Sequence, residues 1–206
     1  MEALLIIIVL AVVAYVLLRG RKGGRQQISM EYMPDACVAL DLETTGLDPT
    51  RHEIIEIAAI RYRKGSTTQD TLRALVKPTK KVPDTITKIT GITQAMLDKE
   101  GEPLAQVLSQ FTEFIGSLRL VTFNAEFDMA FLETAYEKHR IAKPANPVSC
   151  ALKMARRAWP RRKSFRLEHL ANDGEFSEGK AHRALEDARR ALIVYAAATA
   201  ELRSVS

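Results

Sequence analysis

Runs of apolar residues separated by short turn-like segments predict three β-strands in the first half of the folded region. The strands are expected at residues 36–42, "ACVALDL", at 53–63, "EIIEIAAIRYR", and at 70–79, "DTLRALVKPT". Because the segments between them are short, consecutive strands are expected to be antiparallel neighbours.

The second half of the chain has a different pattern, in which helical spacing alternates with one more buried strand. Residues 102–118 carry apolar side chains at helical spacing, and residues 119–123, "RLVTF", form the next predicted strand. Further helices are predicted to start near Glu126 and near Ala184. Three strands followed by alternating helix and strand predict an α/β fold with a mixed sheet.

The amino-terminal residues 3–18 are an uninterrupted apolar run, followed by a basic segment from Arg19 to Arg25. As a helix the run would span about 24 Å at ~1.5 Å per residue, slightly less than a ~30 Å hydrocarbon core. The pattern predicts a transmembrane anchor at 1–18, a basic linker at 19–32 and a folded domain at 33–206. The positive charge after the run places that domain in the cytoplasm.

Two alternatives to the anchor stay open, a cleaved signal peptide and a buried globular helix. A signal peptide usually has positive side chains before its apolar run, whereas here only Glu2 and the amino terminus precede it. A buried globular helix is disfavoured because the run has no polar face and ends at a glycine-rich basic linker.

Charge narrows the classes of partner. The net charge is +5, but the first 25 residues hold four basic side chains and one acid, so residues 26–206 carry 26 basic against 24 acidic side chains. A basic footprint over the whole domain is therefore absent, and any nucleic-acid contact must be local. Residues 156–166, "RRAWPRRKSFR", are a local basic stretch, to be interpreted either as a phosphate-binding segment or as a solvated loop. Cys37 and Cys150 lack disulfide or metal-type spacing.

Two carboxylates lie close together at the end of the first predicted strand. Successive side chains of a strand point to opposite faces, so Asp41 and Glu43 share a face with Ala39, away from Leu40 and Leu42. Like charges on one face repel unless a cation lies between them. The motif therefore indicates either a metal site or the solvated end of an amphipathic strand.

Two later helices also direct an acid toward an apolar face. In residues 124–138, Asp128 falls within the arc of Phe127 and Phe131, and in residues 184–200, Asp187 points with the alanine-rich face. The side chains of Arg189, Arg190 and Glu186 are predicted to face away. A buried charge needs a partner, so each acid is either a functional carboxylate or half of a structural salt bridge.

His182 lies five residues before Asp187, and we place it in the loop that precedes the last helix. A loop histidine beside a carboxylate cluster is a candidate proton acceptor near neutral pH. The other histidines have ordinary positions, in a turn (His52), at a helix end (His139) and on a helix surface (His169).

Taken in order, the motifs Asp41-x-Glu43-Thr44-Thr45-Gly46, Asn124-x-x-Phe127-Asp128 and His182-x4-Asp187 resemble those of the DEDDh branch of the DEDD 3′–5′ exonucleases. The resemblance extends from about Ala36 to Tyr195 and includes "IIEIAAI" and "ITGIT". It is closest to relatives of the proofreading subunit of bacterial DNA polymerase III and of ribonuclease T. It implies a ribonuclease H-like mixed β-sheet flanked by helices, here preceded by one transmembrane helix.

The resemblance also implies a metal-dependent chemistry. Asp41, Glu43 and Asp187 would hold one Mg²⁺, and Asp41, with Asp128 through water, would hold a second, with Mn²⁺ as a substitute. His182 would deprotonate the attacking water. The product would be a nucleoside 5′-monophosphate released from a single-stranded DNA or RNA 3′ end.

Substrate contacts are implied less directly. Thr44 would meet the terminal sugar through its backbone, Leu47 would wedge against the last base, and Asn124 and Phe127 would lie beside the strand. Two positions depart from many relatives, which have histidine where this chain has Phe123 and Thr90. Neither departure removes a predicted metal ligand, but both bear on substrate preference and rate.

Two rival functions remain. A catalytically retired exonuclease fold would act as a membrane-tethered nucleic-acid-binding or interaction module, although five intact motif side chains argue against it. A proofreading polymerase subunit is disfavoured by the predicted anchor.

Overall fold

The computed structural model describes residues 31–172 and 183–204. Five strands form the sheet: β1 (Ala36–Thr44), β2 (Ile54–Arg63), β3 (Asp70–Leu75), β4 (Arg119–Thr122) and β5 (Val148–Cys150). The helices of the described residues are α1 (Asp84–Thr90), α2 (Gln94–Glu100), α3 (Leu104–Ile115), α4 (Ala125–His139), α5 (Ala151–Ala158), α6 (Leu167–Asn172) and α7 (Ala184–Ser204).

The sheet is mixed, and its strand order is β3-β2-β1-β4-β5. β1 pairs antiparallel with β2, and β2 pairs antiparallel with β3, as the short connections predicted. β4 runs parallel to both β1 and β5. Parallel neighbours need a crossover connection, which helices α1 to α3 provide before β4 and helix α4 provides after it. The predicted mixed α/β sheet is confirmed.

Alternation along β1 separates two hydrophobic layers. Val38, Leu40 and Leu42 pack into one core with the buried faces of α3 and α4, and Cys37 and Ala39 pack into a second core with α5 and α7. A third, smaller core lies under α1 and α2. The sheet is therefore covered on both sides, and Asp41 and Glu43 belong to the side that faces α7.

Helix boundaries follow local sequence signals. Helix α2 begins after Thr93, whose hydroxyl accepts a hydrogen bond from the Met96 amide at 3.2 Å. Helix α1 ends at Gly91, whose φ of 72° is in the left-handed region that favours glycine. These ends fix the segment that crosses from β3 toward β4.

The predicted anchor at residues 1–18 lies outside the described residues, as does nearly all of the predicted linker at 19–32. Within residues 31–172 and 183–204, the structure has no helix with the length and hydropathy needed to span a bilayer. The predicted boundary near residue 33 stays a prediction.

Candidate active site

Asp41 and Glu43 lie at the carboxyl end of β1, on the face predicted from strand alternation. Asp41 is opposite Ala58 of β2, and Glu43 is opposite Glu56. Immediately after Glu43 the register shifts, so that Thr44 pairs with Ile54. Such bulges bend a strand and redirect its side chains. This one ends the regular ladder where the acidic pair meets solvent.

Asp187 comes from the first turn of α7, which crosses over the same face of the sheet. One ligand oxygen from each of Asp41, Glu43 and Asp187 can be chosen so that all three lie within 4.8 Å of one another. All three side chains are half-buried. The structure therefore brings together acids that are more than 140 residues apart in the chain.

Asp128 lies in the first turn of α4, directly after β4, and is only 3 % exposed. Because β1 and β4 are parallel neighbours, paired at Val38 with Leu120, their carboxyl ends reach the same edge of the sheet. The Thr122 hydroxyl at the end of β4 donates a short hydrogen bond to Asp128 Oδ2. That bond holds the carboxylate in the core-facing position predicted from the helical spacing.

Burial and mutual repulsion dominate the electrostatics of this edge. Burial, followed by the charges of Asp128 and Glu43, raises the pKa of Asp41 well above its usual range. Burial, followed by the charges of Glu56 and Asp187, raises the pKa of Glu43 to about 8. Burial also raises the pKa of Asp128 to about 7, against the opposing effect of the Thr122 hydrogen bond. Their ionised forms therefore need additional positive charge.

Arg190 supplies part of that charge, contrary to the sequence prediction that it faces away from the core. Its side chain is buried, and its Nη1 donates to Asp187 Oδ1 at 2.6 Å. Residues three positions apart are neighbours on a helix surface, so the long guanidinium folds back over the carboxylate. The salt bridge that was one alternative for Asp187 is therefore present in this structure.

Glu56 is a site residue that the sequence analysis did not single out. It is fully buried, its Oε1 accepts from Arg73 Nε at 2.6 Å, and its Oε2 accepts from the Ala184 amide at 3.4 Å. Ala184 is the first residue of α7, so Glu56 connects the sheet to the helix that carries Asp187. A charged residue inside the apolar run "IIEIAAI" was the available signal.

The predicted substrate-contacting residues flank the acids in the chain. We call the edge of the sheet at which Asp41, Glu43, Asp128 and Asp187 lie the acidic edge. Thr44 is buried, and its hydroxyl donates to the Gly46 carbonyl at 2.7 Å. Leu47 projects into solvent with 82 % of its surface exposed. Asn124 precedes α4, and its carbonyl accepts from the amides of Phe127 and Asp128. Phe127 packs on Phe131 with a ring-centroid distance of 4.9 Å.

Of the three remaining positions, the structure describes Phe123 and Thr90 but not His182. His182 lies outside the described residues, so its place relative to the carboxylates stays a prediction. Phe123 packs into the second core, and its carbonyl accepts from the Leu152 amide at 3.0 Å. Thr90 is buried, where its hydroxyl donates to the Ile86 carbonyl and accepts from the Ile92 amide. Both departures are thus occupied by packing or capping side chains.

Comparison with known proteins gives an independent view of this arrangement. The family model described as exonuclease, RNase_T, matches residues 38–195. The DNA polymerase III subunit epsilon of Aquifex aeolicus is 39 % identical over 152 residues, which is 73 % of this chain and 74 % of that protein. The PolC-type DNA polymerase III of Halalkalibacterium halodurans is 38 % identical over 152 residues, but the chain spans only 10 % of that protein.

The fold comparison agrees. Exonuclease I of E. coli, solved in complex with a dT13 oligonucleotide, superposes with a TM-score of 0.72 at 20 % identity. The match covers 84 % of this chain and 42 % of that chain. With the family model matching most of the chain and a relative at 39 % identity, this chain belongs to the exonuclease family, whose members are nuclease hydrolases.

Proposed function

We propose that this chain is a membrane-tethered, metal-dependent 3′–5′ exonuclease that releases nucleoside 5′-monophosphates from single-stranded DNA or RNA ends. The observation that carries the proposal is the gathering of Asp41, Glu43 and Asp187 within 4.8 Å, with buried Asp128 on the neighbouring parallel strand's helix. Family membership supports a nuclease reaction, and the acidic edge is where we expect that reaction to occur.

The donor set fits divalent cations that prefer oxygen. Every side chain in it is a carboxylate, and burial and neighbouring acids raise the pKa of Asp41 and Glu43, which supports a bound cation at this place. Asp41, Glu43 and Asp187 would hold one Mg²⁺, and Asp41, with Asp128 through water, would hold a second, with Mn²⁺ as a substitute. When bound, the ions would stabilise the charge that develops on the transferred phosphoryl group and favour ionisation of the attacking water.

The chain's own side chains would do the remaining work. His182 would accept the proton of the attacking water, since its position before α7 lies near Asp187 in sequence. Glu56 would hold the first turn of α7 against the sheet, through its hydrogen bond from the Ala184 amide. Both roles depend on the entrance to α7, which makes this junction the most sensitive part of the site.

Substrate grip would come from apolar contacts beside the acids. Exposed Leu47 is available to wedge against the terminal base, and half-buried Phe127 precedes Asp128 directly in the chain. The backbone around Thr44 would meet the terminal sugar, and Asn124 would border the strand. Stacking on such side chains tolerates any base, which supports a substrate defined by its free 3′ end. The oligonucleotide complex of E. coli exonuclease I agrees with a single-stranded substrate.

The membrane part of the proposal rests on sequence alone. Residues 3–18 would form the single span, the basic linker would follow, and the catalytic domain would lie in the cytoplasm. High salt would then fail to extract the protein from membranes, because screening charge does not release buried apolar residues. Extraction by salt alone would contradict the tether and leave the nuclease proposal untouched.

A second candidate is a retired exonuclease fold that binds without cleaving. The observation in its favour is the 2.6 Å hydrogen bond from Arg190 to Asp187, since a guanidinium here already neutralises one proposed metal ligand. The two candidates differ in what must happen to this hydrogen bond. In the enzyme, Arg190 must release Asp187 so that the carboxylate can bind a cation, whereas in the binding module the hydrogen bond can remain.

The test is to incubate the full-length protein in detergent with end-labelled single-stranded DNA and RNA in the presence and absence of Mg²⁺. The enzyme proposal predicts Mg²⁺-dependent release of mononucleotides from the 3′ end. Asp187→Asn should abolish the release, whereas Asp70→Asn, which removes an exposed ion pair with Arg61 on the same sheet, should not. Binding of both nucleic acids without hydrolysis in Mg²⁺ or Mn²⁺ would favour the retired module.

A further inference from the structure

Positive charge is concentrated in one part of the chain. Residues 138–167 contain ten basic side chains and no acid. Residues 26–206 together contain 26 basic and 24 acidic side chains, so outside the segment 16 basic residues face 24 acidic ones. The near-neutral net charge of the domain therefore conceals a basic region attached to an acidic remainder.

The structure exposes six of those ten basic side chains on helix α5 and on the segment that follows it. Helix α5 buries Ala151 and Ala155 against the second core and exposes Lys153, Arg156 and Arg157, which share the opposite helix face. The segment after the helix adds further exposed side chains. We call the six residues the basic surface: Lys153, Arg156, Arg157, Arg161, Lys163 and Arg166.

The segment between α5 and α6 is held in place by its own side chains. Trp159 and Phe165 pack against the second core, so these aromatics are structural. Arg162 bridges the segment, donating from Nε to the Ser164 carbonyl at 3.0 Å and from Nη2 to the His169 carbonyl at 2.9 Å. Arg156 lies over the Phe165 ring at 6.0 Å. The basic surface is therefore a preorganised feature of the fold.

Helix α5, which carries half of the basic surface, starts at the edge of the sheet where the acids lie, because β5 runs parallel to β4. Helix α5 follows β5 directly, and the Leu152 amide donates to the Phe123 carbonyl at 3.0 Å. Phe123 is followed by Asn124 and by the helix that carries Asp128. A strand whose 3′ end lies at the acids can therefore continue onto α5. In the metal-free protein the acids repel a polyanion, so a separate cationic surface would strengthen its binding.

We propose that the basic surface binds the phosphates of a single strand some nucleotides away from the 3′ end being cut, an inference that rests on the proposed exonuclease function. An anionic membrane is the weaker partner because the surface carries no exposed large hydrophobic side chain to insert. Within the described residues, the exposed large hydrophobic side chains are Tyr32, Leu47, Ile89 and Val148, and none of them belongs to the basic surface. The basic surface thus sets the dependence of affinity on strand length and salt, and the acidic edge sets the chemistry.

The experiment compares two triple variants of the full-length protein in non-ionic detergent. Lys153→Gln/Arg157→Gln/Arg161→Gln removes half of the basic surface and spares Arg156, which contacts Phe165. The matched control is Lys77→Gln/Lys81→Gln/Lys88→Gln. It removes the same charge from exposed positions in the segment after β3, the strand at the opposite edge of the sheet from β5. Fluorescence anisotropy in EDTA gives the Kd for a labelled 16-nucleotide strand between 50 and 300 mM salt, and hydrolysis is measured in Mg²⁺.

The basic-surface variant should bind the 16-nucleotide strand about 10- to 100-fold more weakly near 0.1 M salt. Its slope of log K against log salt should be shallower by about 2, since each single-strand phosphate contact contributes roughly 0.7. The control should retain the wild-type slope. Hydrolysis of a dinucleotide, too short to reach α5, should keep its kcat/KM in both variants, whereas KM for the long strand should rise in the first variant alone.

Several results would separate this inference from the proposed function. Hydrolysis with an unchanged slope in the basic-surface variant would overturn the inference and leave the exonuclease intact. Weakened binding in a protein that cleaves nothing would retain the binding surface and remove the enzyme. If the basic-surface variant keeps the wild-type affinity for the strand, the surface does not bind the phosphates and the inference is wrong.

Discussion

The two faces of β1 differ in kind although their residues alternate along one strand. Val38, Leu40 and Leu42 lie on a face without a charged side chain, fully packed by α3 and α4. On the other face Asp41 and Glu43 meet Asp187 of α7, and burial raises the pKa of both strand acids. The first face stabilises the fold, whereas the second gathers like charges that only a cation or a proton can relieve. Stability and chemistry are thus separated by the two-residue period of a strand.

A substitution on the acidic face should reduce activity without reducing stability. Asp41→Asn removes the acid nearest the centre of the cluster, so Mg²⁺-dependent hydrolysis should fall by at least about 10³-fold, since a catalytic metal contributes several kcal/mol to the transition state. The melting temperature in EDTA should hold or rise, because one repulsive buried charge is gone. The measurement pairs mononucleotide release with calorimetric melting. Wild-type rates in a well-folded variant would remove Asp41 from the site.

A substitution on the apolar face should reduce the free energy of unfolding without reducing kcat. Leu40 is fully buried, so Leu40→Ala should lower the free energy of unfolding by about 2–5 kcal/mol through lost burial and the cavity left behind. The fraction that remains folded should keep its wild-type kcat, because Leu40 points away from the acids. Denaturant unfolding with activity measured below the transition checks both parts. A large fall in kcat at full folding would show that the two faces are coupled.

Glu56 offers a way to test the junction between sheet and α7. Glu56→Ala removes the acceptor for the Ala184 amide and the partner of Arg73, so Asp187 should be held less firmly and Mn²⁺ affinity should fall about 10- to 100-fold. Glu56→Gln keeps an oxygen at that position and should restore most of the affinity. Titration calorimetry of both variants, with Asp70→Asn as the control for a sheet ion pair, is the measurement. Equal affinities in wild type and Glu56→Ala would make Glu56 a packing residue only.

A smaller effect should appear in the pH dependence of the metal-free protein. The folded pKa values of Glu43 and Asp128, about 8 and about 7, lie above those of unfolded carboxyls, so the folded state binds more protons between about pH 4 and pH 8. Stability should therefore be greatest at the acidic end of this interval and fall as pH rises through it. The melting temperature in EDTA should drop by a few degrees from pH 5 to pH 8, with a flatter profile in Asp128→Asn. A melting temperature that rises over this interval would contradict the assignment.

Short-range periodicity was enough to predict the mixed α/β sheet and the faces on which four of the acids lie. Strand alternation placed Asp41 and Glu43 on one face, and helical spacing placed Asp128 and Asp187 toward the sheet. Periodicity could not reveal Glu56, because its role requires contacts with β3 and with α7, which come together only in the folded chain. The prediction that Arg190 faces away was wrong for a related reason. Helical spacing puts its Cα on the polar face of the helix, but its long side chain reaches back to Asp187.

The basic region shows a different limit. The sequence of residues 156–166 is compatible with a phosphate-binding segment and with a solvated loop, because charge alone does not reveal which side chains are packed. The structure buries parts of Trp159 and Phe165 and leaves the cations outside. That division could not be predicted without knowing which surface α5 turns toward α7.

If the acidic face of β1 holds divalent cations, as we propose, calorimetric titration of Mn²⁺ into the metal-free full-length protein should detect their binding. We expect saturable binding that weakens at least about tenfold in Asp187→Asn, remains unchanged in Asp70→Asn, and strengthens from pH 6 to pH 8 as Glu43 and Asp128 lose their protons. Binding that is absent in the wild type, or equal in wild type and Asp187→Asn, would contradict the proposal.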